Sequence, residues 1–158
     1  MPFLIDGYNL LWAVQKNGEG MEAIEDIELC SILGRYLGLT GQRAEIIFDG
    51  TGPPEKQAFD NIKGLDVFFS GMGSDADTVI EDKIRMDSAP RRLVVVSSDN
   101  KVRKAAHTRK AASIKSELFW KDVHKIISRQ QKESEPPGKR SGISEGETDQ
   151  WLRFFKIK

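Results

Sequence analysis

Three short apolar runs in this chain each lead into an aspartate: FLID at Phe3–Asp6, AEIIFD at Ala44–Asp49 and LVVVSSD at Leu93–Asp99. Each run is too short for a helix. Consecutive apolar residues without alternation mark strands of a parallel sheet covered on both faces. Helical patterns lie between them. Ile24, Ile27 and Cys30 at a spacing of three, continued by Leu33 and Leu37, predict a helix over 21–37. Gly38 and Gly41 are expected to close it. Val79, Ile80 and Ile84 predict a second helix over 74–86, and two more are expected over 100–112 and 119–127. Leu65–Ser70 reads as a further strand ending in GMG, and Ser113–Ser116 as a short fifth. Strands alternating with helices pair in parallel through crossovers. The expected fold class is therefore α/β, three layers around a central parallel sheet.

In open sheets of this kind the carboxyl ends of the strands border the functional crevice. Asp6, Asp49 and Asp99 fall there, and Asp77 lies just past the GMG turn. Glu81, four residues after Asp77, shares its helix face. Gathered carboxylates repel and raise one another's pKa, a cost that a cation relieves. Hard divalent ions such as Mg²⁺ or Mn²⁺ take oxygen ligands and support phosphodiester hydrolysis.

Each acid also has a local explanation. Asp6-Gly7 and Asp49-Gly50 are turn dipeptides. Asp99 is placed to cap the helix beginning at Asn100, and Asp77 to complete a capping box with Ser74. Asp75 reads as a cap rather than a ligand. Asn9 and Asn100 carry amides able to orient water or a ligand, and are equally ordinary turn or cap residues.

LIDGYN, IFDG, G…SDADTVIE and VVVSSDN, in that order, resemble the NYN domain of the PIN-like ribonuclease superfamily, and within it the YacP-like proteins. The resemblance spans roughly Pro2 to Ile127. It implies a PIN-like α/β/α sandwich and Mg²⁺- or Mn²⁺-dependent cleavage of RNA, in an endonucleolytic mode. The implied catalytic residues are Asp6, Asn9, Asp77 and Asp99. Asp49 and Glu81 would join Asp6, Asp77 and Asp99 around metal, and Asn100 would contribute nearby. Asp75 stands where relatives carry threonine.

Lys+Arg and Asp+Glu both total 24, so only local clustering can announce a nucleic-acid partner. DNKVRKAAHTRK supplies it with Lys101, Arg103, Lys104, His107 and Lys110, starting at the acidic edge. On a continuous helix Arg103, His107 and Lys110 share a face able to track a phosphate backbone. Lys56 in the loop after Asp49 is placed to flank the crevice. Tyr8 and Trp12 follow the first motif, where either is able to stack on a base, although Trp12 is expected in the core.

Other chemistries fit less well. GMGSDA copies a dinucleotide fingerprint, but on the third strand and with Asp75 and Asp77 where a pyrophosphate would sit. Tyr8 occupies the place of the second aspartate a haloacid-dehalogenase phosphatase needs. No G-x-S-x-G nucleophile motif occurs. The single cysteine excludes a disulfide within the chain. With no apolar run of membrane length, a cytoplasmic protein is the default. A non-catalytic RNA-binding or ribosome-associated module of the same fold is the alternative.

The expected organisation is a nuclease domain over 1–130 and a polar, Gly/Pro/Ser-rich flexible linker over 131–147. A short apolar segment over 148–158 carries Trp151, Leu152, Phe154 and Phe155. That segment is expected to fold back or to exchange in a homodimer, with a partner such as the ribosome as the alternative.

Overall fold

The computed structural model describes residues 2–17 and 25–134. Its elements are β1 (Phe3–Asp6), α1 (Gly7–Asn17), α2 (Asp26–Thr40), β2 (Ala44–Phe48), α3 (Gln57–Asp60), β3 (Leu65–Phe69), α4 (Ala76–Met86), a 3₁₀ turn (Pro90–Arg92), β4 (Val94–Val96), α5 (Asn100–Thr108), β5 (Ala112–Ile114) and α6 (Ser116–Ser134). The five strands run parallel in the order β3-β2-β1-β4-β5. Phe3 pairs with Ala44 on one side and Val94 on the other.

The apolar runs work as expected of doubly covered strands. Phe3, Ile5, Ile46, Phe48 and Val96 face one core with residues of α1, α2 and α6. Leu4, Ile47 and Val95 face a second core with Ile80 and Ile84 of α4 and Val102 and Ala106 of α5. Side chains alternate across a strand, so one apolar run feeds both layers. The three-layer α/β/α sandwich follows.

Two helices are additional to the sequence expectation, the short α3 after the TGPPE loop and α1. α1 starts immediately after β1 and buries Leu10, Ala13 and Val14, a helical spacing. Its first residue is glycine for want of room. A Cβ on Gly7 would lie 2.5 Å from the Phe48 ring and 2.8 Å from the Ile47 carbonyl oxygen. Asp6-Gly7 is therefore a tight strand-to-helix junction, not a surface turn.

Other boundaries differ by a turn or so. α2 begins at Asp26 and runs through Gly38 to Thr40, ending at Gly41 with a left-handed φ of 68°. α5 stops at Thr108. α6 starts at Ser116 and reaches Ser134, taking in the first residues of the stretch expected to be linker. The rest of that stretch and the apolar segment over 148–158 lie outside the described residues. Among the described residues no helix is long and apolar enough to cross a membrane.

Candidate functional site

Strand order reverses beside β1, with β2 on one side and β4 on the other, and the crevice of such a sheet opens at that switch point. Asp6 ends β1 and Ser97-Ser98-Asp99 follows β4, so the two segments straddle the crevice.

Asp6 is 7% exposed, the buried carboxylate among the described residues. Burial pushes it up to about 6. The charges of Asp77 and Asp99 push the same way, while the Ser97 hydroxyl and the Asn9 backbone N–H, both donating to the carboxylate, oppose them. Asp77, on the first turn of α4, is also raised, by partial burial first and then by Asp99 and Asp75. Lys101 pulls Asp77 back and Glu81 adds to the rise. Three carboxylates from three separate stretches of chain, Asp6, Asp77 and Asp99, thus lie within electrostatic reach of one another.

Hydrogen bonds hold this edge. Ser97 Oγ donates to Asp6 Oδ2 at 3.0 Å and accepts the Asp99 N–H at 3.1 Å. Asp99 Oδ1 accepts the Lys101 N–H at 2.8 Å and caps α5, as its local explanation anticipates. Asn9 Oδ1 accepts from the Ser98 N–H at 2.9 Å and from Ser116 Oγ at 2.6 Å, joining α1, the β4–α5 loop and α6. Ser98 Oγ donates to Glu117 Oε2 at 2.7 Å and accepts the Ser116 N–H at 3.0 Å. That bond holds the Glu117 carboxyl below its ordinary range. Ser97, Ser98, Ser116 and Glu117 are absent from the residues the sequence nominated. The two serines of VVVSSDN were the available signal.

Asp49 is exposed, and its Oδ1 accepts from Ser70 Oγ at 3.3 Å and the Ala76 N–H at 3.2 Å. It fastens the start of α4 to the end of β2. Asp75 caps α4 through Thr78 N at 2.7 Å, so the capping box from Ser74 to Asp77 does not form. Glu81 is half-buried with Lys101 Nζ 3.9 Å from its Oε1.

Asn100, Lys101, Lys104 and His107 are exposed along α5, which runs from the acidic edge to the opposite end of the sheet. Arg103 Nε donates to Ser113 Oγ at 3.4 Å. Lys110 does not continue the face of Arg103 and His107. It lies past the helix with φ 63° and lines a cleft of about 540 Å³ with Arg91, Arg92 and Arg109. Lys56 lies over the Phe69 ring, its Nζ 5.3 Å from the centroid. Tyr8 and Trp12 are 41% and 55% exposed, so the core placement expected of Trp12 is wrong. Leu11 and Ala13, its neighbours, take the buried positions on α1.

The donor chemistry suits a hard divalent cation, because carboxylate oxygens that repel one another gain from its charge. As placed, no three His, Cys, Asp or Glu side chains among the described residues stand close enough to cage an ion. Mg²⁺ does not need such a cage, since it keeps several waters and binds through one or two carboxylates.

A parallel five-stranded sheet between two helical layers, with acids at its switch point, is the arrangement of a PIN-like fold. The chain belongs to the YacP-like NYN domain family, whose model matches residues 3–153. The match extends past Ile127, where the resemblance was expected to end. The fold is similar to that of Rae1 (YacP) from Bacillus subtilis, 22% identical over 99% of this chain and 92% of that one, with a TM-score of 0.68. A mutant of the same Rae1 protein aligns at 20% identity over 96% and 90% of the two chains, TM-score 0.66. Comparison with curated proteins gave no match.

Proposed function

We propose that this chain is a divalent-metal-dependent endoribonuclease. The observation that carries the reading is the placement of the acids at the carboxyl end of the sheet: Ser97 Oγ ties Asp6 to the Asp99 backbone, and Asp77 stands in the first turn of α4. One or two of Asp6, Asp77 and Asp99 would hold Mg²⁺ or Mn²⁺ together with water, with Glu81 nearby. A bound ion would lower the pKa of water and neutralise charge on the phosphate.

The chain's own residues set the geometry. Ser97 fixes the Asp6 carboxylate and the Asp99 backbone together. Asn9 is a positioning residue, clamping the loop that carries Asp99 against α1 and α6. Asp49 positions α4, and through it Asp77. The exposed cations of α5, Lys101 and Lys104 first, attract the RNA backbone toward the edge.

The test is cleavage of a circular single-stranded RNA by purified protein with Mn²⁺, with Mg²⁺ and with EDTA. Metal-dependent linearisation is expected, because a circle has no end for an exonuclease. A circle left intact while a linear RNA shortens from one end would replace the endonuclease reading with an exonuclease. Linearisation that continues in EDTA would remove the metal.

A further inference from the structure

α1 begins at the acidic edge, and it exposes a stripe. Tyr8, Trp12 and Lys16 are spaced by four residues, so they stand one above the other on a single helix face. Tyr8 lies two residues from Asp6, and Trp12 about 6 Å further along the axis. Both rings are exposed, Trp12 by more than half. Neither is loose. The Tyr8 ring leans on Phe48 with centroids 5.0 Å apart and planes at 59°. Lys16 Nζ sits 4.8 Å from the Trp12 ring centroid. Leu10, Ala13 and Val14 already supply the buried face of this helix.

We propose that Tyr8 and Trp12 form a stacking platform for unpaired bases, and that Lys16 meets a phosphate at its far end. The inference rests on the ribonuclease reading for its substrate and deepens it. The favoured RNA is single-stranded, entering the acidic edge along α1. Aromatic faces stack on any base without demanding a sequence, and a duplex keeps its bases stacked on one another. Two rings one helical turn apart, with a cation a turn beyond, fit that ligand. The stripe lies on the opposite layer from the basic helix α5, which packs with α4 on the other face of the sheet. The crevice is then flanked by aromatic groups on one side and cations on the other.

The test measures binding of the full-length protein, in EDTA, to a fluorescent single-stranded RNA and to a duplex of the same sequence. Trp12→Ala is expected to raise the single-strand Kd about tenfold, the low end of a lost base stack. Trp12→Phe should stay within about threefold of the unchanged chain, because the ring remains. Duplex binding should move in neither variant. A matched thermal midpoint excludes misfolding. Equal single-strand affinity in Trp12→Ala and the unchanged chain overturns the platform, as does equal loss on both RNAs, or no RNA binding by the unchanged chain. Loss of binding in Trp12→Ala by a chain that never cleaves RNA would sink the nuclease reading and leave the platform standing.

Discussion

Ser97 and Asp6 meet across the switch point, hydroxyl to carboxylate at 3.0 Å, although they stand 91 positions apart in sequence. The same hydroxyl accepts the Asp99 N–H. A single buried oxygen therefore sets the spacing of two candidate metal-binding acids. Ser97→Ala leaves a buried carboxylate short of one donor and an amide unpaired, which costs about 1–3 kcal/mol. It also removes the bond that holds Asp6 down, so the Asp6 pKa rises further. The urea midpoint at pH 7 should fall, and the acid limb of activity should move to higher pH. A limb that stays in place contradicts this role.

The charge on Asp6 is maintained against stability. Its carboxyl is raised from 3.8 to about 6, a cost of about 3 kcal/mol once it ionises. Below pH 4 both folded and unfolded chains hold this proton. Between pH 4 and 6 the unfolded chain releases it first, so the unfolded chain binds fewer protons and stability falls as pH rises. Above pH 6 the whole cost is present. Asp6→Asn should therefore gain about 1–2 kcal/mol at pH 7.5 in EDTA and little at pH 4. Urea titrations at the two pH values check it. An equal loss at both would show that Asp6 is a structural acceptor only.

Asn9 works through its carbonyl oxygen, which accepts two hydrogen bonds. Asn9→Ala strands the Ser98 N–H and the Ser116 hydroxyl and should cost about 1–3 kcal/mol. Asn9→Asp keeps an acceptor at the same place and should lose much less. Thermal midpoints of the pair decide the matter. If Asn9→Asp were as damaging as Asn9→Ala at pH 4, where the new carboxyl carries little charge, the amide nitrogen would be the working atom.

Lys110 holds φ 63°, the one non-glycine with positive φ among the described residues. Its N–H bonds the His107 carbonyl at 3.0 Å and the Ala111 N–H bonds Ala106 at 2.9 Å, the pattern that ends helices on glycine. Lys110→Gly should stabilise the chain by about 0.5–1 kcal/mol, the relief of left-handed strain less the freedom glycine adds to the unfolded chain. A lower thermal midpoint would mean that the lysine side chain contributes more than its backbone costs.

The sheet was legible because its strands are buried on both faces, which leaves unbroken apolar runs. Acids at the ends of those runs converge by topology alone, so Asp6 and Asp99 were readable without any contact being known. α1 was not, since LLWAV continues the apolar character of FLI with no loop between and a glycine at its start. Ser97, Ser98 and Ser116 were not, because the bonds that define them reach partners up to 107 positions away. Trp12 was misplaced because a helix of that composition shows several apolar residues and the chain does not say which face turns inward. Lys110 was misplaced because its lysine gives no sign of a helix end.

The most direct measurement compares Asp77→Asn with Asp75→Asn in cleavage of a labelled single-stranded RNA with Mn²⁺. The two aspartates are neighbours but one. Asp75 caps α4 through the Thr78 N–H, whereas Asp77 is coupled to Asp99 and Asp6. The account predicts that Asp77→Asn loses at least about a hundredfold in rate, about 2.7 kcal/mol of barrier, while Asp75→Asn keeps activity within a few fold. Cleavage by Asp77→Asn at the rate of the unchanged chain would contradict the account and place the chemistry elsewhere.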